Sequence, residues 1–223
     1  MVTKIKLTTS DGINIAANYL EPNNPKGYLV LAHMMPATKE SWNDFMRGAE
    51  GAGYASLAFD LRGHGESDDG PEGYKKFNDA EHQSSLADVA AAVNWLRARG
   101  ASDIYDIYLI GASIGANLVL KYLGQDPKIK SAVLLSPGLN YRGLESRPLI
   151  KKVADSQRVM LVGAKDDGRS SGNAAEMAKA LFKDLPEKQG ELLLYERGGH
   201  GTDLFKASEG PNLETEILKF ISS

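Results

Sequence analysis

Ile107-Tyr-Leu-Ile-Gly-Ala-Ser113-Ile-Gly115-Ala-Asn-Leu-Val-Leu-Lys-Tyr-Leu123 joins a short apolar run to a stretch with apolar residues at helical spacing. The first part predicts a strand buried on both faces; the second predicts a helix with Leu118, Val119, Tyr122 and Leu123 on its inner side. Between them, Gly111-Ala112-Ser113-Ile114-Gly115 leaves one serine on a tight strand-to-helix turn. Such a turn pushes the hydroxyl outward, and side chains at Gly111 or Gly115 would crowd neighbouring backbone. The N–H of Ile114, at the helix start, is placed to stabilise an oxyanion. With 23 glycines in the chain the bare pattern arises readily by chance, so its setting between strand and helix carries the weight. The plain structural alternative is a small-residue turn with Ser113 capping the helix.

Outward from this turn, other short apolar runs recur: Tyr28–Ala32, Ala55–Phe59, Ala132–Leu135, Val159–Val162 and Leu192–Tyr195. Two alternating runs, Lys4–Thr8 and Ile13–Leu20, flank Asp11-Gly12 and predict an antiparallel hairpin. Helical patterns cover Leu86–Arg97, Ala174–Leu185 and Leu213–Ile221. Strands alternating with helices predict an α/β fold: a mostly parallel eight-stranded sheet with helices on both faces. No linker, repeat or low-complexity tract divides the chain, so residues 1–223 read as one domain.

Composition bounds the rest. The 223 residues are 42% hydrophobic and 25% charged, with a net charge of −3 and no long basic run, which favours neither nucleic acid nor an anionic membrane as partner. No cysteine is present, excluding disulfides, a thiol nucleophile and thiolate metal sites. No run approaches the ~18 apolar residues of a membrane span, and Met1–Leu7 lacks the apolar core of a secretory signal. A cytoplasmic protein needing neither metal nor organic cofactor is expected; oligomeric state is left open.

In open α/β sheets, ligands bind beyond the carboxyl ends of the strands. There the sequence places His33, Asp60, Ser113, the adjacent Asp166 and Asp167, and His200. A serine needs a base. Of the four histidines, His200 sits in a glycine-rich loop directly after the last strand and is the expected base; His33 is expected to tie its loop down, His64 lies in a turn, and His82 is expected to be solvated. A carboxylate must orient the base, and either Asp166 or Asp167 can supply it; Asp203 would have to fold back from the same loop.

These features resemble the α/β-hydrolase superfamily over essentially the whole chain. Besides Gly111–Gly115, Asp60-Leu-Arg-Gly-His-Gly-Glu-Ser67 is similar to the loop after the fourth strand in esterases and monoacylglycerol-lipase-like members. His33-Met34-Met35-Pro36 stands where that superfamily usually has His-Gly, and Gly199-His200-Gly201 resembles its histidine loop. The order serine, acid, histidine is also met. The resemblance implies a Ser113–Asp167–His200 triad, with Asp166 the alternative acid by a Gly-x-x-Asp count from Gly163. It places the second oxyanion donor at Met35 N–H. Met34 replaces the usual glycine; if that position requires positive φ, methionine would be strained. Asp60 and Arg62 are expected to pin their loop.

Many members carry a helical cap after the sixth strand. Here Pro137–Arg158 leaves room for a loop and one short helix, so no sizeable cap is expected, and Met34, Leu139, Tyr141 and Leu144 are expected to line or edge an open cleft. The implied activity is cleavage of small or accessible carboxylic esters through an acyl-enzyme. Thioester, amide or peptide hydrolysis and acyl transfer use the same parts, and a non-catalytic small-molecule binder on this fold is the rival from another class. Serine at the nucleophile position disfavours a haloalkane dehalogenase, and the lack of cysteine disfavours the usual dienelactone hydrolase.

Overall fold

A computed structural model of the protein describes residues 1–101, 107–186 and 188–223. The chain opens with strands β1 (Thr3–Thr8), β2 (Asn14–Leu20) and β3 (Tyr28–Ala32), then helix α1 (Asn43–Gly51) and β4 (Ala55–Phe59). Helices α2 (Asp79–Ser84) and α3 (Leu86–Ala98), strand β5 (Ile107–Ala112), helix α4 (Ile114–Leu123) and β6 (Ser131–Leu135) follow. A small hairpin of β7 (Asn140–Tyr141) and β8 (Leu144–Glu145) leads into α5 (Ser146–Ile150) and β9 (Arg158–Ala164). A second small hairpin, β10 (Gly168–Arg169) and β11 (Gly172–Asn173), precedes α6 (Ala174–Lys183), β12 (Gly190–Tyr195) and α7 (Leu213–Ser222).

Eight strands form one sheet in the order β1-β2-β4-β3-β5-β6-β9-β12. β2 runs antiparallel to both neighbours, and every later pairing is parallel. Most of the continuous apolar runs become interior strands, and β4 and β6 are buried at every residue. Leu192–Tyr195 instead lies in the edge strand β12, where only Tyr195 is fully buried. One face carries α3, α4, α5 and α6, with Val93, Leu118, Ile150 and Leu181 in a single core. The other face carries α1 and α7, where Phe45 and Met46 pack with Ile217 and Phe220. Gly12 alone of the Asp11-Gly12 pair has positive φ, in a turn closed by Thr9 N–H to Ile13 O.

The chain moves from β3 outward to β4, then returns to lay β5 on the other side of β3. That reversal opens a crevice between the ends of β3 and β5, where this class of sheet binds ligands. Helix α4 is buried at every residue but Lys121, more completely than its single predicted inner face, because the sheet, α3 and α5 surround it. Between β6 and β9 lie only the β7–β8 hairpin and α5, so no large cap covers the crevice. Among the described residues, no helix is long and apolar enough to cross a membrane.

Candidate active site

Ser113 is the one residue between β5 and α4, with φ 55 and ψ −119. This is a backbone region that a side chain makes costly, by roughly 1–3 kcal/mol, and it persists only where surrounding structure imposes it. The flanking glycines show the constraint. A Cβ on Gly111 would stand 2.3 Å from Gly115 O, and one on Gly115 would stand 2.4 Å from Ala32 O. Ser113 N–H donates to Leu135 O at 2.8 Å, fastening the turn to β6. The Ser113 side chain makes no capping hydrogen bond, so the helix-cap alternative does not describe it.

The two adjacent aspartates diverge. Asp167 Oδ2 accepts the Nδ1–H of His200 at 2.6 Å, both side chains being buried. Asp166 is exposed, and its Oδ1 accepts the N–H groups of Gly198 and Gly199 at 3.1 and 3.2 Å, shaping the loop that carries the histidine. Arg169 Nε donates to the other oxygen of Asp167 at 3.0 Å. Burial alone would raise the Asp167 carboxyl, but the hydrogen bonds and charge of His200, with those from Arg169 and Ser136, outweigh it and hold its pKa below the ordinary value. With Nδ1–H committed to Asp167, His200 Nε2 is the ring atom left to accept a proton. Asp203 is exposed, and its backbone N–H donates to His200 O at 3.1 Å.

The His200 loop lies against the serine turn. Gly201 has φ +59, and a Cβ there would stand 3.3 Å from Ala112 Cβ and 2.5 Å from Met34 Sδ. Gly201 N–H donates to Ser136 Oγ at 3.0 Å, so β6 supports the loop from beneath.

The loop after β3 is anchored by buried polar groups. His33, fully buried, donates from Nδ1 to Met34 O and accepts Leu61 N–H at Nε2, each at 2.9 Å. Burial, with His64 alongside, brings its pKa down to about 3, so the ring is neutral, in the tying role expected of it. Lys39 is buried too; its Nζ lies 2.7 Å from Asp60 Oδ2 and 2.8 Å from Glu66 Oε2. Asp60 also accepts Lys39 N–H and Glu66 N–H, while Arg62 pairs with Asp88 and Asp11. Both therefore pin loops. Met34 is not among the residues with positive φ; this loop needs no glycine there, and methionine fits without strain. Among the described residues, Met35 N–H and Ile114 N–H donate to no protein group.

Two expectations need correction. His82 is buried, not solvated: a capping box between Asn78 and Glu81 starts α2, and the helix turns the ring inward, edge-on to Phe77. Leu144 is a core residue packed with α4 and α5, not a cleft edge, because β8 turns it beneath the hairpin. Leu139, Tyr141, Met34 and Met35 are half-buried; Met34 packs against the α1/α7 core, and Met35, Leu139 and Tyr141 against the α3/α4 core.

Sequence reading missed Lys39, Asn117, Ser136 and Arg169. Only Asn117 carried a signal: a polar residue among the apolar ones that open α4. Among the described residues, no group of three or more histidine or acidic side chains is arranged to hold a metal ion.

A family model described as alpha/beta hydrolase fold matches residues 27–167. The chain is 30% identical over 131 residues to the non-heme chloroperoxidase CPO-A1 of Kitasatospora aureofaciens, covering 58% of this chain and 42% of that protein. It is 34% identical over 134 residues to a non-heme chloroperoxidase of Streptomyces lividans, covering 58% and 43%. The chain thus spans under half the length of these curated relatives. Among solved structures, the Pyrococcus furiosus esterase Pf2001 superposes with a TM-score of 0.79 at 17% identity, covering 100% of this chain and 92% of that one. The alpha/beta hydrolase GrgF from Penicillium sp. superposes with 0.80 at 16%, covering 100% and 98%. At such identities the likeness is one of fold.

Proposed function

Because the chain belongs to the α/β-hydrolase fold family, we propose that it is a serine hydrolase cleaving carboxylic esters of small or accessible substrates through an acyl-enzyme. Ser113 Oγ attacks the carbonyl carbon while His200 Nε2 takes its proton. Asp167 holds the tautomer and stabilises the imidazolium that forms. The N–H groups of Ile114 and Met35 bind the oxyanion, donors already fixed in place and engaged by no other protein group. His200 then protonates the departing alcohol, and water activated by the same ring releases the acid.

One observation carries the reading. His200, held by Asp167 at 2.6 Å, comes from a loop packed on the residue before a serine that is itself in a strained backbone. Strain, a buried carboxylate and a tightly packed glycine loop all carry stability costs, and catalysis gives them one common reason. The test is labelling of purified protein by a fluorophosphonate probe, with turnover of a short-chain p-nitrophenyl ester. Wild type should label and turn over; Ser113→Ala should do neither, and His200→Ala should lose nearly all turnover. Wild type that fails to label, or Ser113→Ala that labels equally, sinks the reading.

The names of the curated relatives add halide oxidation by hydrogen peroxide as a second arm. Peroxide attacking the acyl-enzyme in place of water would release a peracid, and a peracid oxidises halide, so the same three residues serve. Halide oxidation that persists in Ser113→Ala would exclude this route.

A further inference from the structure

The β7–β8 hairpin holds a phenol that completes no hydrogen bond. Tyr141 Oη is shut off from solvent and has no hydrogen-bond partner among the described residues. An unsatisfied buried hydroxyl costs stability, so one that persists calls for a reason. The hydroxyls acting on it are those of Ser171 and Ser113, yet neither completes a hydrogen bond with it.

The hairpin is fixed in place. Arg142 and Gly143 have φ of 53 and 76, making the two-residue turn whose twist matches its strands. Asn117, buried on α4 one turn beyond Ser113, donates to the carbonyls of Gly138 and Leu144 at 3.0 Å each, and accepts Gly138 N–H at 3.1 Å. The Tyr141 ring lies on Gly138 so closely that a Cβ there would be 2.5 Å from ring carbons. From the far side, Gln83 Nε2 donates to Arg142 O at 3.1 Å. The helix that presents Ser113 therefore also sets the strap that carries Tyr141.

Strand order says which side of Ser113 this strap occupies. β3 lies on one side of β5 and β6 on the other. Met35 comes off β3. Tyr141 comes off β6, on the side of β9 and β12, which bring Asp167 and His200. A tetrahedral centre on Ser113 whose oxyanion faces Met35 and Ile114 turns its leaving group toward the histidine that must protonate it.

The geometry points to Tyr141 Oη as a hydrogen-bond donor to the leaving-group oxygen, a further catalytic residue, with Asn117 the residue that positions it. This assignment rests on the serine-hydrolase reading above. In the step concerned, the His200 imidazolium passes its Nε2 proton to the leaving oxygen, the acyl carbon–oxygen bond breaks and the alcohol departs. Tyr141 keeps its own proton. Such a bond helps an oxygen that leaves poorly and does little for p-nitrophenolate, which leaves unaided. The substrate class it fits is esters of aliphatic alcohols.

The experiment compares kcat/KM for an ethyl ester and a p-nitrophenyl ester of the same acid in wild type, Tyr141→Phe and Asn117→Ala, with fluorophosphonate labelling and melting temperature alongside. Tyr141→Phe should lose about tenfold or more on the ethyl ester and stay within about twofold on the p-nitrophenyl ester. It should still label at Ser113 and melt no lower than wild type, since the hydroxyl removed has no partner. Asn117→Ala should show the same leaving-group-dependent loss with a lower melting temperature. Equal losses on both esters, or no loss on the ethyl ester, in Tyr141→Phe protein that still labels would overturn the role of Tyr141 and leave Ser113 standing. Wild type that does not label would overturn the hydrolase reading itself.

Discussion

Asp167 Oδ2 accepts the Nδ1–H of His200 at 2.6 Å, with both side chains buried. Their neighbour Asp166 turns away to cap Gly198 and Gly199. In the proposed mechanism the chemistry and the loop shape fall to different carboxylates, and amide substitutions separate them. Asp167→Asn should lower kcat by about 10³–10⁴-fold, because an amide facing Nδ1 favours the wrong tautomer. Asp166→Asn keeps an acceptor for the loop and should stay within about threefold on kcat, with a stability change of about 1 kcal/mol or less. Ester turnover with denaturant unfolding reads both; a larger kcat loss in Asp166→Asn would reverse the roles.

Gly115 offers a test of the turn itself. In a helix, Gly→Ala ordinarily stabilises by about 1 kcal/mol. Here the new Cβ would meet Ala32 O at 2.4 Å and His33 O at 2.6 Å, both backbone atoms at the end of a central strand. Gly115→Ala should therefore destabilise, by roughly 1–3 kcal/mol, and reduce turnover by moving Met35. Gly51→Ala is the control: a Cβ there meets nothing within 4 Å, so stability should hold or rise by up to about 1 kcal/mol.

Legibility followed burial. Strands such as Ala55–Phe59 and Ser131–Leu135 are buried at every residue, and their uninterrupted apolar runs mark them in the sequence. Ser113 and His200 were legible because short glycine patterns sit at strand ends. Helix α1 was not. Its Asn-Asp-Phe-Met-Arg-Gly-Ala-Glu-Gly sequence contains two glycines, and only Phe45, Met46 and Ala49 are buried, so tertiary packing against α7 decides its conformation. Nor was Lys39, whose anchoring depends on Asp60 and Glu66 arriving from another strand end. Such long-range polar pairs leave no local pattern.

Lys39 gives a prediction of its own. Its Nζ and Asp60 Oδ2 are 2.7 Å apart, and both side chains are almost wholly buried. Lys39→Met would leave the Asp60 carboxylate without its cation, a loss of about 3–5 kcal/mol for a broken buried pair. Adding Asp60→Asn removes the stranded charge, so the double variant should recover at least about 1 kcal/mol relative to Lys39→Met. Urea unfolding of the four proteins measures the coupling. Strict additivity would mean that the pair is not energetically linked.

His33 makes stability depend on pH in a defined direction. Burial lowers its pKa from 6.5 to about 3. Between those values the unfolded chain binds a proton at this ring and the folded protein does not. The contribution is therefore complete above about pH 6.5 and is lost as pH falls toward 3. One such site changes the unfolding free energy by at most about 1.4 kcal/mol per pH unit. His64 and His82, also lowered by burial, act in the same direction. Asp167, lowered below its ordinary value of 3.8, also loses its contribution on acidification, but at lower pH. Across the window from pH 6 to 4.5 Asp88, which burial raises from 3.8 to about 6, acts in the opposite direction, so the share of His33 is read from the difference between variant and wild type. Wild-type unfolding free energy should fall across it, and His33→Asn should remove about one site's share of the slope, whatever it does to stability at pH 7. Parallel slopes for the two proteins would mean that His33 takes up its proton in the folded state, and that the ring does not hold the loop after β3 in neutral form.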